Sequence, residues 1–165
     1  MKKMKMTLHV SEIEYDVQNR TYVDGKYRQA SGDVERGEEI IINDEEDNAH
    51  FVRRCVQDAI GNLFSVVSEY VELEDPELTD VMMDDGAVEF TAVVPDQFPD
   101  SAATAAVSAM HEYISNAAMA QWYESTDTTK QRARESAAAN KLQAVRSAFN
   151  RRLQYARCMK GGVQE

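Results

Sequence analysis

Over residues 48–71, apolar positions recur at spacings of three and four. Val52, Cys55, Val56, Ala59, Ile60, Leu63, Phe64, Val67, Tyr70 and Val71 fall on one broad face, as in an amphipathic helix with one buried side. The preceding Asp44-Glu45-Glu46-Asp47 suits a helix N-terminus, where the backbone dipole favours negative charge. Gly61 inside this helix costs roughly 1 kcal/mol relative to Ala, and it reads as a point where another backbone comes close. A second helical pattern covers 100–124, with Val107, Met110, Ile114, Ala117, Ala118, Gln121 and Trp122 in helical register and Asp100 or Ser101 as N-cap. Ser125-Thr126-Asp127 breaks that helix and caps a last one over about 128–158, anchored by Ala138, Leu142, Val145, Phe149, Leu153 and Ala156. Gly161-Gly162 ends it, leaving 159–165 as a flexible tail.

The N-terminal part is less regular. Residues 6–10 predict a short strand, and Ser11 with Glu14 has the spacing of a capping box. The helix they open carries Ile13, Val17 and Thr21 on one face and is expected to stop near Gly25. Residues 25–48 read as a polar loop with Gly25, Gly32 and Gly37, interrupted by Ile40-Ile41-Ile42. Between Leu73 and Val94 the period falls to two. Leu78 to Met83 predicts one strand, Asp84-Asp85-Gly86 a turn, and Val88, Phe90, Ala92 and Val94 the buried face of a second strand, closed by Pro95 and Pro99. A lone hairpin is marginal in water, so it must pack on the helices or pair with another chain.

These elements predict a mainly α protein with a small β-hairpin, an α+β fold built on a bundle of three to four helices. It reads as one domain over 1–165: a strand, helix and acidic loop in 1–47, a helix in 48–71, a hairpin in 73–94, two closing helices in 100–158, then the tail. The chain of 165 residues is long enough to bury a core without disulfides or metals, and 43% hydrophobic content is that of a globular protein.

No apolar run approaches a membrane span. Met1-Lys2-Lys3-Met4-Lys5-Met6 is basic like a secretory leader, but no apolar stretch follows. Cys55 and Cys158 lie at apolar helix positions, outside any CxxC pair, and read as buried free thiols. The net charge of −11 is uneven: residues 1–100 carry 9 basic and 24 acidic side chains, residues 101–165 carry 9 and 5. The acidic body argues against direct nucleic-acid binding, which needs positive charge at the phosphates. The polarity suits subunits meeting head to tail.

Reactive constellations are missing from the spacing. His9, His50 and His111 stand on different segments with no HxxxH or HExxH arrangement, and the acidic runs fail the alternating-ligand pattern of a calcium loop. No serine occupies GxSxG or SxxK, and no glycine spacing cradles a phosphate. The expectation is a non-enzyme without cofactor or metal. The last helix carries a basic face of Arg132, Arg134, Lys141, Arg146, Arg151, Arg152 and Arg157 beside Tyr155, which reads as a contact for acidic neighbours in preference to DNA.

One segment, His111-Glu112-Tyr113-Ile114-Ser115-Asn116-Ala117-Ala118-Met119-Ala120-Gln121-Trp122-Tyr123-Glu124, resembles the alanine-rich helix of tailed-phage head–tail connector (adaptor) proteins, ending in an Ala-x-Trp-Tyr-Glu-like signature. The resemblance implies a ring-forming virion subunit, found in the host cytoplasm during assembly, whose partners are copies of itself and portal or tail proteins. Tail completion is the neighbouring role. The acidic first hundred residues and the hairpin depart from that pattern. Trp122, Tyr123, Arg146, Arg151, Arg152, Tyr155 and Arg157 are the candidate interaction residues. The alternative is an acidic inhibitor that mimics DNA, motivated by the 24 acids of the first hundred residues.

Overall fold

Residues 2–9 pair antiparallel with residues 87–94, so the sheet joins the start of the chain to a strand far along it. The computed structural model describes residues 1–42, 46–73 and 86–151. In chain order it contains β1 (Lys2–His9), α1 (Val10–Ala30), α2 (Val34–Ile40), α3 (Glu46–Val67), β2 (Val71–Leu73), β3 (Ala87–Val94), α4 (Asp100–Tyr123) and α5 (Thr128–Phe149). The protein is therefore mainly helical with a small antiparallel sheet, in strand order β1-β3-β2.

The alternation read in Val88, Phe90, Ala92 and Val94 holds: all four are buried. Their strand sits in the centre of the sheet, with Met6 opposite Phe90 and Leu8 opposite Val88 on one side, and Val71 opposite Ala92 on the other. A single hairpin was expected. The N-terminal strand adds the third member and supplies Met6 and Leu8 to the same buried face. β2 begins at Val71, inside the span expected to be helix, because the Tyr70 carbonyl accepts from the Val93 N–H and draws the chain into the sheet. The expected strand Leu78–Met83 and the Asp84-Asp85 part of the turn lie outside the described residues.

α1 departs from expectation at both ends. Ser11 does not cap it. The helix starts directly after His9, and the orphan Val10 N–H is taken up by the Gly86 carbonyl, a tertiary partner in place of a side chain. It also runs past Gly25 to Ala30. There Gly32, at φ 96°, closes a Schellman arrangement: Gly32 N–H donates to the Gln29 carbonyl and Asp33 N–H to the Arg28 carbonyl. The segment expected to be a loop instead forms α2, which folds back on α1 and buries Gly37 and Ile40.

α3 follows its pattern, burying Val52, Cys55, Val56, Ala59, Ile60, Leu63 and Val67. Gly61 is the exception: it faces open space, and no second backbone comes near it. α4 is the central helix. Ala102, Ala106, Ala109, Ala118 and Ala120 are buried with Met110, Ile114 and Met119 on a helix that α3, α5, α1 and β1 all contact, so small side chains let neighbours close in on several sides. Asp127 caps α5 as expected, accepting from the Thr129 and Lys130 N–H groups. Within the described residues α5 ends at Phe149, whose ring stacks on Tyr70 with centroids 5.3 Å apart. The helix expected to run to 158 is thus capped at Asn150, and residues 152–165, with Leu153, Ala156 and the tail, lie outside the described residues.

Candidate functional site

α1 places an alternating series, Asp16, Arg20, Asp24 and Arg28, four residues apart on one face. Helical geometry stacks such positions in a row, and the row faces α4 and the start of α5. Every member finds a hydrogen-bonding or oppositely charged partner there. His111 Nε2 lies 2.8 Å from Asp16 Oδ2. Arg20 grips Glu112 with both terminal nitrogens, at 2.7 and 3.1 Å, the bidentate geometry in which a guanidinium is strongest. Arg28 binds Asp127, the same carboxylate that caps α5.

Asp24 is the hub. Tyr123 donates its hydroxyl to Asp24 Oδ2 at 2.7 Å, Lys130 Nζ lies 2.8 Å from Oδ1, and Arg134 Nη2 approaches Oδ2 at 3.3 Å. Arg134 also donates to Asn116 Oδ1 at 3.3 Å. Burial works against the Asp24 charge, but the bonds from Lys130 and Tyr123 and the charges of Lys130 and Arg134 outweigh it and hold the carboxyl below its ordinary range. Glu112 is likewise held low, first by its hydrogen bond from Arg20. Burial, then the bond to Asp24, pushes the Tyr123 hydroxyl far up, so it remains a donor.

Beside this row, β1 and α4 border an open groove of about 560 Å³ where Lys5, Thr7, Ser108, His111 and Glu112 meet. A histidine–carboxylate pair near a serine holds the parts of a nucleophilic site. The parts are not connected: among the described residues no hydrogen bond joins Ser108 to His111, while Asp16 engages the ring and Arg20 engages Glu112. Among the described residues no group of three or more His, Cys, Asp or Glu side chains is placed to hold a metal ion.

The candidate interaction residues separate. Trp122 is half-buried. Its indole N–H donates to the Ile40 carbonyl at 2.8 Å and its ring leans on Phe51, tying α2 and α3 to α4. Tyr123 is fully buried and turned to Asp24, so it offers nothing to a partner. Arg146 and Arg151 are exposed, whereas Arg152, Tyr155 and Arg157 lie outside the described residues. Arg134 does not belong to a solvent-facing basic side, because it points inward at Asp24. The ladder on α1 escaped the sequence reading although its signal was available, as opposite charges repeat at a spacing of four from Asp16 to Arg28. Comparison with family models, with curated proteins and with solved structures finds no match to this chain.

Proposed function

We propose that this chain is a non-enzymatic assembly subunit of a tailed phage or prophage, of the head–tail connector or tail-completion kind, and that it acts as an oligomeric ring. The observation that carries the reading is the saturation of the ladder. Ionisable groups that converge from α1, α4 and α5 neutralise one another and clamp the helices, in place of standing free over a substrate-sized recess. Catalysis asks for a nucleophile within hydrogen-bond reach of its base in a concave site, whereas here His111 engages Asp16 and no hydrogen bond among the described residues joins it to Ser108. The phage context rests on the resemblance of His111–Glu124. That segment forms the second half of α4, the helix that α1, α3, α5 and β1 all contact.

Exposed Tyr15, Tyr22, Tyr27 and Arg146 supply the kind of surface that protein contacts favour, rich in tyrosine and arginine. Native mass spectrometry at micromolar concentration, alone and with portal and tail proteins of the same phage, tests the proposal. A closed multimer, or incorporation into one with those partners, is expected. A chain that stays monomeric in every mixture overturns it.

A further inference from the structure

The outer side of α1 is unusually apolar for a helix surface. Tyr15, Tyr22, Val23 and Tyr27 are 62, 50, 57 and 74% exposed. With Asn19 and Lys26 they form one stripe, and Lys26 lies over the Tyr22 ring, 5.5 Å from its centroid. Three large rings held in water on a helix whose opposite side is buried make the kind of surface that protein contacts use.

A fitting recess exists on the same molecule. α1 fills one side of the α4–α5 pair through Asp24, Lys130 and Arg134. The other side is an open groove floored by Ala117, Ala120 and Ala138, with Tyr113 and Leu142 along it. Small residues on the floor leave room for bulky ones on an incoming helix, as ridges into a groove.

The charges at the two ends match as well. Glu124 and Glu135 line one end of the groove, and Arg146 is exposed one turn beyond Leu142 on the same side of α5. On the tyrosine stripe, Glu12 is exposed near the start and Lys26 near the end. At a rise of about 1.5 Å per residue, Glu12 and Lys26 are about 21 Å apart, and Glu135 and Arg146 about 17 Å. Long side chains cover that difference. A helix laid antiparallel to α5 therefore brings Lys26 to Glu135 and Glu12 to Arg146 while its tyrosines enter the alanine floor.

We propose that the tyrosine face of α1 docks into the α4–α5 groove of a second copy of this chain, with Lys26 against Glu135 and Glu12 against Arg146. Because the two surfaces lie on opposite sides of the α4–α5 pair, the contact is head to tail and repeats from copy to copy. It rests on the assembly reading above and gives that reading its interface.

The test is a charge exchange followed by sedimentation or native mass spectrometry of the full chain, with circular dichroism to establish folding. K26E and E135K should each weaken self-association roughly tenfold or more, as like charges now oppose, and the double variant K26E/E135K should recover it. Y22S should weaken it without any change of charge. In the unaltered chain, a zero-length carbodiimide link between Lys26 and Glu135 should appear between copies when isotopically labelled and unlabelled protein are mixed. Assembly that is indifferent to K26E, E135K and Y22S overturns the interface and leaves the ring reading standing. A chain that joins portal or tail proteins but never a second copy overturns the interface too. Failure in every mixture removes both.

Discussion

Gly25 of α1 and Gly37 of α2 face each other so closely that neither could carry a methyl group. A Cβ on Gly25 would lie 2.5 Å from the Gly37 carbonyl oxygen, and one on Gly37 would lie 2.7 Å from the Gly25 carbonyl oxygen. The Ile41 and Gln29 side chains crowd the same two positions, but the carbonyls are backbone and cannot rotate away, so α2 would have to lift off α1. Gly25→Ala and Gly37→Ala should each cost about 1–3 kcal/mol, the usual penalty for overpacking. For a domain of this size that lowers Tm by roughly 2–4 °C per kcal/mol.

Gly61 supplies the contrast. It is exposed in the middle of α3 and nothing approaches it, so Gly61→Ala should stabilise the protein by about 0.5–1 kcal/mol through helix propensity and a less flexible unfolded chain. A thermal melt of the three glycine variants side by side separates the two situations. A Gly25→Ala protein as stable as Gly61→Ala would show that the helices can move apart at no cost.

The pair Tyr123 and Asp24 predicts an asymmetry. Tyr123→Phe removes one of the Asp24 partners and leaves Lys130 and Arg134 in place, so it should cost only about 1 kcal/mol. Asp24→Ala strands the buried Tyr123 hydroxyl and takes the carboxylate from Lys130 and Arg134, leaving Arg134 its bond to Asn116, and it should cost about 2–4 kcal/mol. Urea titrations of both variants and of the double variant measure the coupling. Equal single effects would argue that Asp24 matters to Tyr123 alone.

Acid should weaken the protein through the same row. Asp24 and Glu112 have ordinary values of 3.8 and 4.5, and both are lowered in the fold. A depressed carboxyl binds fewer protons folded than unfolded, so its stabilisation is complete above those ordinary values. It is lost as pH falls through them towards the folded values. The urea midpoint should therefore hold between pH 7 and 5 and drop below pH 4.5. Glu112→Gln, which cannot titrate, should lose less of its midpoint over that interval than the parent. An identical acid slope in the two proteins would remove Glu112 from the account.

Cys55 should be chemically silent. It is buried in α3, and burial first, then the nearby Asp58 and Glu124 charges, pushes its thiol up to about 12, so the reactive thiolate is scarce at neutral pH. In a Cys158→Ser chain, a disulfide reagent at pH 7.5 should label Cys55 only after denaturant is added. Rapid labelling of the folded protein would mean that α3 opens readily.

Residues 48–67, 88–94 and 128–149 were legible because their period is set by which side of each element must leave water, a property that local spacing already contains. The Asp127 cap was legible for the same reason, since a carboxylate two and three residues from orphan N–H groups acts within its own turn. What escaped was whatever needed a distant partner. Gly25 looks like a helix stop until Gly37 is found against it. Ser11 looks like a cap until the Gly86 carbonyl takes the first N–H. The segment 34–40 looks polar until α1 offers it a place to fold back.

Tyr123 and Arg134 make the same point for the site. By composition and spacing one is an aromatic beside a tryptophan and the other a member of a basic helix face, and both suggest a surface. Tertiary packing turns them inward onto Asp24, a residue about a hundred positions away from each. The chain alone thus determined where α3, α4, α5 and β3 lie and how charge is shared between its two parts, because those depend on neighbours within a few turns. Which polar groups are consumed inside and which tyrosines remain outside was decided only when α1 came to rest on α4 and α5, since a charge's role depends on whether its counter-charge arrives.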